Sequence, residues 1–464
     1  MIKKWLVITV FLQFVILIPC MAKTNTVSIH GFYESTLLMQ HHPEYKESND
    51  DYFTYGMNNL ANLRFFYKTS HFRFGVDLNV FMLAGSYTQA FQQSLQQQAS
   101  SFILVPPLYT DKLTKNYYSM PFYTQSTYVG ALEIDRLYFS TGNLYYKLEL
   151  GLLRLARGYG YIFSPSDLFN PANPLNPNAR KQGKLSLINT FYPLDMWKIQ
   201  IFAIAPDNPV EQAGWDSKFG TATNFSIDRF DFEFLYTLFL PEVEYESDLE
   251  NQNLPESVNN DFTHIFGFSF KADIKIGLFL DIVYRLEQRN AKTWDYYNGS
   301  FQGWEGWRGL EAAIGIDYTI NKVYFLAEYM FYGSGILDWQ ELSLENAYDE
   351  NHADWDEYKP FDRRPDQDKK SLPFLRHDYF SFLLRWTIND YVTLAPNLLL
   401  GLDDQSLLFS LSSEIEPFQA FTVTVKAMFP FDKKAIGQNS EAGEYSYTNL
   451  GFFQAYQFSA KLKF

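Results

Sequence analysis

Charged side chains fall on one of the two alternating faces of otherwise apolar stretches, and these are the residues that could do chemistry in this chain. Residues 278–287 read LFLDIVYRLE, where Asp281 and Arg285 alternate with leucine, isoleucine and tyrosine. Residues 310–318 repeat the pattern with Glu311. Such an array suits the attraction and passage of ions and polar solutes, because rings of acids favour cations and rings of bases favour anions.

Extending the alternation along the chain predicts a face of charged positions that line a wet interior. Acids outnumber bases on this face, which predicts a weak preference for cations unless arginines dominate locally. The alternative is that many of these charges are neighbouring ion pairs that only hold the wall together. The predicted positions are Asp77, Glu133, Asp135, Lys147, Glu149, Asp231, Glu233, Lys271, Asp281, Arg285, Glu287, Glu311, Asp317, Glu328, Arg385 and Lys426.

The elements that must position these charges are β-strands, since side chains of a strand point alternately to its two faces. The 464 residues are 19% aromatic, yet the mean hydropathy is only -0.23. About 18 alternating stretches can be placed (a range of roughly 16–18), beginning with residues 26–40 and 60–69. Short turns alternate with long polar loops, of which 85–127 is one. A bilayer cannot hydrate unpaired backbone groups, so a sheet in lipid must close on itself.

The predicted fold is therefore all-β: a transmembrane antiparallel up-and-down β-barrel with short periplasmic turns and long extracellular loops. A soluble propeller or sandwich is the rival, but its apolar faces would have to pack on one another. Here nearly every strand carries large aromatic residues on one face and charges on the other.

The N-terminus has the layout of a secretory signal peptide: two lysines, a short apolar run and small residues before position 22. We predict that residues 1–22 are removed and that residues 23–464 form the barrel. An uncleaved anchor and a lipoprotein modified at Cys20 are the alternatives. Cys20 is the single cysteine, so no internal disulfide is expected.

Residues 154–183 are chemically distinct from the other loops. The glycines permit tight backbone conformations, the prolines restrict φ, and the Asp and Asn side chains can hydrogen-bond nearby backbone. These features predict a rigid, defined loop. The residues that carry them are Gly158, Gly160, Pro165, Asp167 and Asn170.

The same stretch resembles a pattern in a family of large porin-like outer-membrane barrels. There, a strand that ends in a Gly-rich, Arg-containing stretch runs into a Pro-Ser/Thr-Asp-Leu-Phe-Asn-Pro loop and then an Arg/Gly strand entry. The resemblance implies a porin-like barrel but not a substrate. The matching positions are Arg154, Arg157, Gly158, Gly160, Pro165, Asp167, Leu168, Phe169, Asn170, Pro171, Arg180 and Gly183.

By analogy with large porins, this loop is a candidate for folding into the lumen and narrowing it. Arg154 and Arg157 would then face acids across a constriction and produce a transverse field. The alternative is a loop that braces the wall, with both arginines paired to carboxylates.

The chain ends in alternation that finishes on an aromatic residue. This pattern resembles the C-terminal signature of bacterial outer-membrane barrels, and the resemblance implies recognition by the barrel-assembly machinery. The apolar positions are Tyr456, Phe458, Ala460, Leu462 and Phe464.

Several function classes find little support in the sequence. A formal charge of -15 disfavours nucleic acid, whose phosphates need a basic surface. The histidines show no metal-ligand spacing, no cofactor is implied, and no catalytic residues stand out. His264, on a predicted strand, keeps an outer-membrane hydrolase as a third hypothesis.

The first hypothesis is a porin-like channel in the bacterial outer membrane, monomeric or trimeric, for diffusion of small hydrophilic solutes. The second is a non-conducting barrel that serves surface binding or envelope structure. In either case the chain would contact outer-membrane lipid and lipopolysaccharide.

The barrel prediction has a direct solution test. We expect the mature chain to need detergent, because its apolar rings would point outward. Size-exclusion chromatography with and without detergent checks this. A mature chain that is soluble and monodisperse without detergent would contradict the membrane barrel.

Overall fold

The structure is a computed structural model. It describes residues 26–42, 52–86, 88, 119–124, 128–170, 183–206, 217–240, 243–244, 257–258, 262–287, 294–295, 300–301, 309–333, 377–402, 405–431 and 454–464. The predicted signal peptide, 1–22, and the predicted loop residue Arg180 lie outside the described residues.

The described residues form 23 strands. Their bounds are β1 (Thr26–His42), β2 (Tyr52–Lys68), β3 (Phe72–Gly85), β4 (Ser119–Thr124), β5 (Tyr128–Gly142), β6 (Tyr146–Leu153), β7 (Lys184–Leu194), β8 (Trp197–Ile204), β9 (Lys218–Ile227), β10 (Phe230–Phe239), β11 (Val243–Glu244), β12 (Ser257–Val258), β13 (Thr263–Asp273), β14 (Gly277–Glu287), β15 (Trp294–Asp295), β16 (Ser300–Phe301), β17 (Leu310–Ile320), β18 (Val323–Tyr332), β19 (Asp378–Asn389), β20 (Val392–Gly401), β21 (Ser406–Phe418), β22 (Phe421–Phe431) and β23 (Gln454–Lys463).

Eighteen of these strands form one closed antiparallel β-barrel, as predicted. Successive strands of the wall pair with each other, and β1 pairs with β23 to close the ring. Closure gives every wall strand a partner on both sides, so no open sheet edge remains in the ring. Of the other five strands, β4 pairs with β5, while β11–β12 and β15–β16 form separate two-stranded sheets.

The alternation of side chains matches the predicted division into two faces. On β14, Leu278 and Leu286 are exposed on the outside, whereas Asp281 and Val283 are fully buried on the inside. Because many large apolar side chains are exposed on the outward face, the outer surface of the wall is largely apolar. Exposed aromatic rings also lie at the end of the barrel that carries the short turns; they include Tyr145, Tyr318, Trp386 and Tyr391.

Short turns join strand pairs at one end of the barrel, and longer connections lie at the other. Two of the tightest turns contain Asp228 (φ 52°) and Asn321 (φ 55°). Two-residue hairpins need positive φ because their twist then matches that of the flanking strands, and Asp and Asn tolerate this conformation. The two short turns at Asp228 and Asn321 thus have a physical reason in the residue types found there.

Two boundaries differ from the sequence-based expectation. Strand β2 begins at Tyr52 rather than near residue 60, because Phe53, Tyr55 and Met57 continue the outward apolar alternation. The predicted 85–127 loop contains the short strand β4.

The wall changes its pairing where the chain leaves it after β6. Strand β6 has only eight residues and pairs with the half of β5 nearest the short turn. The other half of that edge of β5 pairs with β4 instead. Strand β4 therefore extends the wall beside the point at which the chain departs.

The barrel closes where the C-terminal residue meets β1. Gly31 and Phe464 exchange two backbone hydrogen bonds, of 2.8 and 2.9 Å. The side chains of Phe458, Leu462 and Phe464 are exposed on the outward face. A Cβ atom on Gly31 would lie 2.5 Å from the Phe464 ring and 2.6 Å from the Asn62 carbonyl oxygen, so only glycine fits this position.

We expect Gly31→Ala to destabilise the barrel by roughly 1–3 kcal/mol, because the added methyl group must displace backbone as well as the terminal ring. Thermal unfolding in detergent, followed by the heat-modifiable mobility of the folded barrel on gels, measures this. Gly267→Ala is the matched control, since its Cβ would meet only side-chain atoms, the nearest at 3.1 Å. Equal unfolding temperatures for the two variants would contradict the role of Gly31.

Candidate functional site

After β6 the chain runs among inward-facing side chains of other strands. We call residues 154–170 the 154–170 segment. The Arg154 guanidinium donates to Asp135 of β5 at 2.5 Å. The Arg157 guanidinium donates to Gln200 of β8 at 2.7 Å. The first residues of the segment thus bind polar groups of strands on both sides of β6.

Backbone N–H groups of the segment next donate to carboxylates of the wall. The N–H of Gly158 donates to Glu233 of β10 at 3.2 Å. The N–H groups of Tyr159 and Gly160 donate to Asp281 of β14, at 3.1 and 3.0 Å. Consecutive peptide units therefore turn their donors toward acids on two different strands.

Glu328 of β18 accepts the following three N–H groups. Its Oε1 accepts from Tyr161, and its Oε2 accepts from Ile162 and Phe163, each at 2.8 Å. The three accepting strands are alternate strands of the wall, with β13 and β17 between them. The segment therefore follows the inner wall over a distance of several strands.

These contacts provide hydrogen-bond partners both for the wall carboxylates and for the backbone N–H groups of the segment. Glu233, Asp281 and Glu328 are buried, and a buried carboxylate without partners costs several kcal/mol. Successive backbone N–H groups form an anion-binding concavity and donate charge-assisted hydrogen bonds. The wall acids and the segment's otherwise unpaired amides stabilise each other.

The glycines are needed because the backbone approaches the acids so closely. Gly158 has φ of 76°, a left-handed conformation that side chains disfavour. A Cβ on Gly158 would lie 2.4 Å from Asp281 Oδ2, and one on Gly160 would lie 1.8 Å from the Phe163 carbonyl oxygen.

Apolar side chains of the segment pack inside the barrel next to the acids. Ile162 and Phe163 belong to one cluster, in which the rings of Phe163 and Tyr379 are 6.4 Å apart. The wall residues in that cluster are Phe279, Ala313, Leu326, Met330, Tyr332, Tyr379, Leu399, Leu408, Met428 and Ala455.

A second apolar cluster packs other side chains of the segment against the wall. The ring of Phe169 lies 5.4 Å from that of Phe202 and 6.3 Å from that of Phe239. Leu155 and Leu168 join the same cluster. The interior is therefore not uniformly polar at this level, in contrast to the expectation of a polar inward face throughout.

Polar contacts complete the turn that includes Asp167 and Asn170. The Asp167 N–H donates to the Ser164 carbonyl oxygen at 3.0 Å, and Asn170 Nδ2 donates to the Leu155 carbonyl oxygen at 3.0 Å. The hydrogen bond from Asn170 thus joins the end of the segment to Leu155 near its start. The Ser166 and Ser269 hydroxyl oxygens lie 3.0 Å apart, which fixes the segment to β13, and Pro165 is buried beside them.

Both arginines of the segment are paired with carboxylates. Beside the Arg154–Asp135 pair, Arg157 lies 3.6 Å from Glu233 and stacks over the Phe202 ring at 5.2 Å. Burial, together with the nearby Glu233 charge, raises the pKa of Tyr159 to about 12, so this phenol is neutral at physiological pH.

The remaining predicted inward charges form smaller groups. Asp77 lies 3.6 Å from Arg64 and 3.9 Å from Arg136, and Glu133 accepts a 2.9 Å hydrogen bond from Asn79. Sequence analysis did not single out the two arginines beside Asp77. The pairing of β3 with β5 shifts register between Asp77 and Leu78, because Asp135 is an extra residue on β5. This bulge brings Arg136 opposite Asp77, and alternation alone does not reveal it.

Elsewhere on the inner wall, several charges pair side by side. The paired atoms are 2.8 Å apart in Lys147–Glu149, 3.0 Å in Arg285–Glu311 and 3.8 Å in Arg385–Glu414, and Tyr324 donates to Asp317 at 3.3 Å.

His264, the residue behind the hydrolase hypothesis, lies on the outer face. Its Nδ1 is 3.0 Å from the Tyr236 hydroxyl oxygen, and Phe266, two residues on, is exposed on the same face. This position has no access to the interior. The residues that the structure describes include no group of three His, Cys, Asp or Glu side chains that could hold a metal ion. In the described part of the chain, no helix is long and apolar enough to span a membrane.

Comparisons with known proteins find likeness among solved structures only. No protein-family model matches the chain, and no curated protein matches its sequence. OccAB4 of Acinetobacter baumannii shares 10% identity, with a TM-score of 0.48, over 95% of this chain and 98% of that one. Wzi of Escherichia coli, described as a carbohydrate-binding β-barrel involved in capsule assembly, shares 9%, with a TM-score of 0.47, over 93% and 84%.

OccK8 of Pseudomonas aeruginosa shares 10% identity, with a TM-score of 0.43, over 94% of this chain and 98% of that one. At such identities the likeness says nothing about function, and the architecture rests on the strand pairing described above.

We expect Glu328→Gln to loosen the segment, because one accepting oxygen becomes an NH₂ group that faces backbone donors. The loss should be about 1–3 kcal/mol or more, as for buried donors left unpaired. Hydrogen exchange of the amides of residues 161–163 should rise. Glu414→Gln is the control, since that inward carboxylate is half-exposed. Unchanged exchange in Glu328→Gln would contradict the contact.

Proposed function

We propose that the protein is a porin-like channel of the bacterial outer membrane, through which small hydrophilic solutes diffuse. The observation that carries the proposal is a closed ring of 18 strands with apolar side chains exposed outside and charged side chains inside. A barrel of this strand number is wider than its own side chains can fill, so it has room for an aqueous passage.

The inner wall near the short turns supports a hydrated interior. Arg64, Lys147, Arg385 and Glu414 occupy inward positions there, and all four side chains are roughly half-exposed. Charges with this exposure retain contact with water. The half of the lumen next to the short turns is thus a hydrated vestibule.

The 154–170 segment is the proposed constriction of the passage. Asp281, which binds its centre, is four residues from the start of β14, or about 13 Å along the strand. This distance supports a position of the segment well inside the barrel rather than at its mouth. Its hydrogen bonds and its two apolar clusters narrow the cross-section from one side.

The proposed location of the barrel is the bacterial outer membrane. A signal peptide at residues 1–22 directs export, and the C-terminal alternation ending in Phe464 is read by the barrel-assembly machinery. The short turns face the periplasm, and the long loops contact lipopolysaccharide. Assembly into trimers is compatible with an apolar outer wall.

One observation favours a second candidate, a non-conducting barrel used for surface binding or envelope structure. The clusters around Phe163 and Phe169 fill part of the interior with apolar side chains. If they seal the remaining cross-section, the long loops would be the working part of the molecule.

Conductance in planar bilayers separates the two candidates. We expect discrete current steps from the purified barrel. A folded barrel, identified by heat-modifiable mobility, that gives no current would overturn the channel and favour the second candidate.

A cysteine pair tests whether the segment is a fixed constriction. Ser166→Cys with Ser269→Cys would join the segment to β13, because the native oxygens are 3.0 Å apart. The mature chain has no other thiol, since Cys20 lies in the signal peptide. We expect the same conductance before and after reduction, with Ser166→Cys alone as the control. Current that appears only on reduction would show that the segment must move.

A further inference from the structure

Acidic and basic side chains differ in burial inside this barrel. Among the described residues, Arg157 is the only lysine or arginine that is buried. In the same part of the chain, eight carboxylates are buried, and seven of these belong to wall strands. They are Asp77, Glu133, Asp135, Asp167, Glu233, Asp281, Glu311 and Glu328. The formal charge of -15 therefore does not describe the charge that a solute inside the barrel would meet.

The buried acids are compensated from within the protein. Glu233, Asp281 and Glu328 accept the backbone N–H groups of the 154–170 segment, and Glu133 accepts from Asn79. A carboxylate saturated by fixed donors has little hydrogen-bonding capacity left for a passing cation. Its field is also offset by the dipoles that point at it.

One group of charges lies on β2, β3 and β5, at the point where the chain leaves β6. Asp77, whose side chain is 4% exposed, is flanked by Arg64 at 41% and Arg136 at 32%. Asp135, at 1%, is paired with Arg154 at 22%. Asp77 is also within electrostatic range of Asp135 and Arg154, so the five groups form one cluster.

In this cluster, the burial of each side chain, and not the sum of the formal charges, determines which charges a solute in the lumen would meet. If Glu133 is included, three arginines face three carboxylates, and the sum is zero. All three acids lie under the wall surface, while all three guanidinium groups belong to partly exposed side chains. Guanidinium groups bind carboxylate and phosphate through paired N–H donors, so a solute would meet donors and positive charge.

We infer that the channel prefers anions and that the Arg64–Arg136–Arg154 cluster is a binding site for small solutes bearing a carboxylate or phosphate group. This inference rests on the proposed channel function and names its substrate class. It reverses the weak cation preference expected from the excess of acids in the sequence.

The reversal potential across a potassium chloride gradient tests the preference. We expect wild-type chloride permeability to exceed that of potassium several-fold. Arg64→Gln with Arg136→Gln should shift the ratio toward potassium. Lys322→Gln removes the same kind of charge at an exposed turn and should leave the ratio unchanged.

The Asp77→Asn variant distinguishes an effect of charge from an effect of misfolding. It removes the buried negative charge while the arginines remain, so the ratio should move further toward chloride, opposite in sign to the arginine variants. General damage to the barrel would not produce shifts of opposite sign. A potassium-selective wild-type channel, or equal shifts in both variants, would overturn the inference, whereas a wild-type barrel that gives no current would overturn the channel function itself.

The binding site has its own test with inorganic phosphate and, separately, acetate as probes. Each is expected to reduce the wild-type chloride current in a saturable way and to have at least several-fold less effect on the Arg64→Gln, Arg136→Gln variant. Reduction by one probe alone would restrict the site to that group. Equal reduction in both proteins, or none in either, would refute the site.

Discussion

The interior of this barrel depends on the hydrogen bonds between wall carboxylates and the backbone of the 154–170 segment. Glu233, Asp281 and Glu328 are buried, and a buried carboxylate without hydrogen-bond donors costs several kcal/mol. The backbone N–H groups of residues 158–163 have no strand partner, so without these carboxylates they would also lack hydrogen-bond acceptors. Each hydrogen bond to a charged group contributes about 1.5–3 kcal/mol, and together they determine where the chain runs after β6.

Two kinds of lumen follow from that arrangement. Around the segment, apolar residues such as Phe163 and Phe169 pack against the wall and exclude water from the acids. Toward the short turns, side chains such as Arg385 and Glu414 remain partly exposed. The barrel thus combines a packed level with a more exposed level, in which Arg64 and Arg136 are partly exposed while Asp77 between them is buried.

Much of the wall could be predicted because its physics is local. Alternation of apolar and polar residues places strands such as β14 and β17, and turn residues such as Asn321 mark where they reverse. The prediction was less good where a local rule was incomplete. The start of β2 was missed because its tyrosines and asparagines were taken for a loop. The inward positions of Phe279 and Val283 differ from the expected polar face, because alternation assigns a residue to a face but does not identify the side chains that cover it.

The sequence by itself determined that the chain alternates between two environments, forms about 18 strands and carries a Gly- and Pro-rich stretch at residues 154–183. Only the tertiary structure decided which groups meet. The amide of Phe163 and the carboxylate of Glu328 are 165 positions apart, and no pattern of neighbouring residues reports such a contact. Burial is decided in the same way, because the exposure of an acid or an arginine depends on what the closed ring brings to cover it.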